Sequence, residues 1–116
     1  MNEPTAEEQV EIIEATKEQA LIAVKLADCL ERLTNNADWK TVIDEAYCKE
    51  HAIRLVRQKA LPSMDKPELQ TAIIKSIDAI GELQQFLFSV ERQGMMAKEA
   101  LHDAELAIEE IYSEAG

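Results

Sequence analysis

The chain has 116 residues, enough for one domain, with 47% apolar but only 4% aromatic residues and a net charge of −11. An aliphatic core follows, and three Gly and three Pro leave room for few loops, so the composition predicts an all-helical protein. The charge disfavours nucleic acid and anionic lipid as partners. No 18-residue apolar run and no basic-then-apolar leader is present, so neither a membrane helix nor a signal peptide is expected. Cys29 and Cys48 form no disulfide framework and suit a reducing cytoplasm.

The first helix is predicted over about 5–33. It opens on the capping box Thr5-Ala6-Glu7-Glu8, and early glutamates complement the positive end of its dipole. Its seam is read as Ile12, Ala15, Gln19, Ile22, Leu26, Cys29 and Leu33, stepping by three and four. Thr34-Asn35-Asn36-Ala37 stops it, because these side chains compete for backbone hydrogen bonds.

The second helix is predicted over about 37–60, capped by Asn36 or Asp38, with Trp39, Val42, Ile43, Ala46, Ile53, Val56 and Ala60 on its buried side. Pro62 disfavours helix at Leu61 and ends it. Asp65-Lys66-Pro67-Glu68 then restarts the chain, with Asp65 as cap and Pro67 in the first turn.

The third helix, about 66–113, carries the strongest signal in the chain. Leu69, Ile73, Ser76, Ile80, Leu83, Leu87, Val90, Gly94, Ala97, Leu101, Ala104, Ile108 and Ile111 step by four and three without a slip. That spacing is the seam of a helix packed lengthwise on another. Helices one and two together match its length, which predicts a long antiparallel helical hairpin with a broken first arm. In that register the break at 34–38 faces Gly94, with Trp39 covering the glycine. The competing arrangement is a compact up-down-up three-helix bundle.

The excess charge sits at the two ends. Residues 1–18 hold six acids and one Lys, residues 99–116 hold six acids and no base, and the middle is balanced. A hairpin brings both stretches to one acidic tip. Acids at a helix C-terminus oppose the dipole, so a basic protein partner is expected there, with Glu105, Glu109 and Glu110 as contacts. Phe86, Phe88, Met95 and Met96 widen the apolar arc beyond one stripe and predict self-association or docking.

Chemistry finds little support. Cys48-x-x-His51 puts a thiol and an imidazole on one helical face, but a structural zinc site needs four ligands. Glu99-x-x-His102 is half of a di-metal signature whose second copy is missing. A Cys-His nucleophile needs a pocket and an oxyanion donor, and the chain has no Gly-rich phosphate loop and no Gly-x-Ser-x-Gly. Cys29 is read as core filler and Cys48 as a partly buried thiol. Mimicry of nucleic-acid charge is broken by the balanced middle. The expectation is therefore a non-enzyme with no metal and no cofactor.

Leu30-Glu31-Arg32-Leu33, Asn36-Ala37-Asp38-Trp39-Lys40 with Val42-Ile43, Tyr47, and Ala52-Ile53-Arg54-Leu55-Val56 form a recognisable set. Ile77-Asp78-Ala79-Ile80-Gly81-Glu82-Leu83, Phe86, and Gly94 followed by Ala97 continue it. With these residues, the stretch from Leu30 to about Ile111 resembles a family of small helical proteins encoded by tailed bacteriophages. Similar proteins carry a second aromatic after the Tyr47 position, where this chain has Cys48. The resemblance implies a structural or assembly protein of a phage, located in the virion or the host cytoplasm. Its partners would be itself, as a homo-oligomer, and a second phage structural protein with a basic surface. The alternative is a phage-encoded inhibitor that binds a host or defence protein.

Overall fold

The computed structural model describes residues 3–115; residues 1, 2 and 116, part of the domain expected over 1–116, lie outside the described residues. Every regular element among the described residues is helical. Helix α1 is Ala6–Thr34. Helix α2 covers 37–59 in three consecutive pieces: α-helix Ala37–Trp39, π-helix Lys40–His51 and α-helix Ala52–Lys59. A 3₁₀ turn, Pro62–Met64, leads into α3, the 49-residue helix Pro67–Ala115. The fold is all-α, with three helices.

The capping chemistry explains the helix ends. The Glu8 N–H donates to Thr5 Oγ1 at 3.1 Å, so Thr5 caps α1 as its position predicts. Asn36 caps α2, accepting from the Asp38 and Trp39 N–H groups at 2.8 and 3.2 Å. At the third start the expectation is corrected. The first bonds of α3, from the Leu69 and Gln70 N–H groups, run to the Lys66 carbonyl, so Lys66 rather than Asp65 holds the cap position. Asp65 is αR (φ −77°, ψ −9°) at the end of the 3₁₀ turn, whereas a cap residue is extended. The Gln70 side-chain amide donates to the Lys59 and Met64 carbonyls at 3.0 and 2.7 Å, tying the turn to α3.

The chain divides into two compact units. One joins the chain up to Leu30 with Val90 onward; the other is Glu31–Ser89. In the first, α3 packs through Val90, Gly94, Ala97, Leu101, Ala104, Ile108 and Ile111, all buried or half-buried as the ladder predicts. The α1 seam is corrected. Ile12, Ala15, Gln19, Ile22, Leu26, Cys29 and Leu33 are all exposed, and α1 packs instead through Val10, Ile13, Lys17, Ala20, Ala23, Val24 and Ala27. Size matching explains the choice. The facing part of α3 is built from Gly94, Ala97 and Ala104, and the alanine stripe of α1 approaches it more closely than an isoleucine stripe would. Gly94 is also relocated: a Cβ there would collide with Ala27 Cβ and lie 3.6 Å from the Ala23 carbonyl. It faces α1 itself, not the break at 34–38 and Trp39.

In the second unit Leu55, Ile73 and Ile80 form the core, with Tyr47, Cys48, Ala52, Met64 and Ile77 packed against them. The α2 face is corrected as well. Trp39 and Ile43 are half-buried as expected, but Val42, Ala46, Ile53, Val56 and Ala60 are exposed. The cause is the π-helix. Its i→i+5 bonding widens each turn, so the inward side chains step by four and five, as Trp39, Ile43, Cys48 and Ala52 do. An α-helical reading drifts onto the wrong face within two turns. Ser76 is the one ladder position left exposed; its hydroxyl donates to the Ala72 carbonyl at 3.1 Å while Ile77 turns to the core.

Candidate functional site

The side chains considered for chemistry lie in packing contacts or on the open surface. Cys48 is half-buried against the second unit's core, and His51 stacks on Tyr47 with ring centroids 5.8 Å apart and planes 22° apart. Cys29 is exposed, which corrects its reading as core filler. His102 is exposed on α3, where it shares an open surface depression with Lys98, Glu99 and Asp103. No group of three His, Cys, Asp or Glu side chains suited to a metal ion gathers among the described residues. Among them, too, no helix is long and apolar enough to cross a membrane.

The expected contact residues are exposed, but they do not form one patch. Phe86, Phe88, Met95 and Met96 are all at least 60% exposed. Phe86 and Phe88 are two positions apart on a continuous helix, about 200° around its axis, so they leave on opposite sides. Phe88 and Met95 are seven apart and share one side to within about 20°. Glu105, Glu109 and Glu110 are exposed on the same helix. Glu3 to Glu18 and Glu99 to Glu114 belong to the same unit, so the two acidic stretches do come together. With Ala27 opposite Gly94 and the helices antiparallel, the acidic first half of α1 runs beside the acidic end of α3.

Comparison with known protein families, curated proteins and solved structures finds no match.

A long, largely apolar surface on α1 is one that sequence reasoning placed inside. Ile12, Ala15, Gln19, Ile22, Leu26, Cys29 and Leu33 form an outer face along α1, with Ile12 62%, Ile22 69% and Leu26 50% exposed. At 100° per residue it lies roughly 160° from the packed face. Helix α1 therefore carries two seams, of which the fold fills one. The signal was legible: two interleaved runs of apolar residues at helical spacing, one of them rich in alanine.

Proposed function

We propose that this chain is a non-enzymatic structural or assembly protein of a tailed phage that works through helix–helix contacts. The observation that carries the reading is the distribution of large apolar side chains. Four of them, Ile12, Ile22, Leu26 and Leu33, stand exposed at coiled-coil spacing on α1, and Phe88 and Met95 stand exposed on α3. Burying one such side chain is favourable by about 1.5–3 kcal/mol. A face that forgoes this at helical intervals along a whole helix is a surface for another helix. The acidic end with Glu105, Glu109 and Glu110 supports a basic protein partner, since like charges side by side are relieved by a counter-charge. The phage setting rests on the resemblance of Leu30 to Ile111.

Quantitative mass spectrometry of purified particles and of precursor shells, from the phage that encodes the chain, tests the reading. Many copies per particle or per shell are expected. Absence from both, with the chain recovered on a host or defence protein, would replace it by the inhibitor reading.

A further inference from the structure

We propose that the outer face of α1 pairs with the same face of a second copy, and that the two helices run antiparallel. The inference deepens the assembly reading, on which it rests only in taking exposed helix faces as contact surfaces.

The apolar positions supply the seam. Written as a heptad, Ile12, Gln19, Leu26 and Leu33 take one core position and Ala15, Ile22 and Cys29 the other. The row beside the seam supplies the orientation. Glu11, Glu18, Lys25 and Arg32 recur every seven residues along it, two acids followed by two bases, and all four are exposed. In an antiparallel coiled coil this row meets its own copy running the other way. Glu18 then faces Lys25 of the second copy, Glu11 faces Arg32, and symmetry repeats both pairs. The core layers that accompany this register set Ile12 against Cys29, Ala15 against Leu26, and Gln19 against Ile22. Cys29 and Ala15 set small side chains against Ile12 and Leu26, as close packing requires, while Gln19 meets Ile22 and Leu33 meets Glu8.

The other orientation lacks these features. In a parallel pair the same row would face Thr16, Ala23 and Leu30, none of them charged. It would also set the acidic first halves of both α1 helices side by side. Charge complementarity therefore selects a second copy, and selects its direction.

Charge exchange within and between chains tests this. Glu18→Lys and Lys25→Glu, each alone, place like charges at both symmetric contacts and are expected to weaken self-association at least tenfold by light scattering. Mixing the two single variants is expected to restore the dimer as a heterodimer, and the double variant E18K/K25E is expected to dimerise by itself. Ile22→Glu is expected to give monomers that keep their helical circular dichroism. A dimer unaffected by Ile22→Glu would move the interface elsewhere, and single variants without effect, or no rescue on mixing, would overturn the antiparallel register. A dimer with the expected responses but absent from phage particles would keep the pairing and remove the phage role; a monomer abundant in particles would do the reverse.

Discussion

At the residue scale the two glycines of α3 separate packing from propensity. A Cβ at Gly81 meets nothing within 4 Å, whereas one at Gly94 runs into Ala27. Gly81→Ala should therefore stabilise the protein by about 0.5–1 kcal/mol through helix propensity alone. Gly94→Ala gains the same propensity but forces two backbones apart, an overpacking cost of about 1–3 kcal/mol, and should lower stability. Urea denaturation of both variants measures the two signs, and Ala27→Gly should recover most of the loss in the Gly94 variant. A Gly94→Ala chain as stable as the Gly81 variant would mean that α1 does not touch α3 there. Leu55 and Val56 give a second contrast, being 6% and 60% exposed. Leu55→Ala should cost about 2–5 kcal/mol. Val56→Ala should stay within about 0.5 kcal/mol, as surface substitutions do. Equal losses in thermal unfolding would restore the α-helical face read from the sequence.

At the element scale, what was legible in the residues and what was not divides along a physical line. Helix number, approximate ends and two of the three caps came from local chemistry: Thr5 and Asn36 act as caps because their side chains meet the free N–H groups of the first turn. The α3 ladder was legible because a single uninterrupted stripe admits one reading. Helix α1 has two stripes, and local periodicity does not say which the partner helix accepts. The small side chains at Gly94, Ala97 and Ala104 decide it, which is information from the opposing element. The π-helix Lys40–His51 was hidden for a different reason: its hydrogen-bond ladder changes the period itself, and no Pro or Gly marks where. The contact residues show the same division. Exposure of Phe88 and Met95 could be anticipated from the width of the apolar arc, but the outer face of α1 emerged only once the inner one was filled.

At the scale of the whole molecule the dominant quantity is charge. Net charge is −11, and the acids that exceed the bases lie in the two stretches that share one unit. Their mutual repulsion is unscreened at low ionic strength and is cut once the Debye length falls to about 8 Å at physiological salt. The midpoint of thermal unfolding should accordingly rise between low and physiological salt; a fall would mean that ion pairs outweigh the repulsion. The same charges oppose the approach of two acidic ends, and the apolar face of α1 is the surface we propose for association. Sedimentation velocity of the purified chain at rising concentration tests that claim most directly. The account predicts a species of twice the 13.0 kDa chain mass, and a particle that stays at the mass of one chain throughout would contradict it.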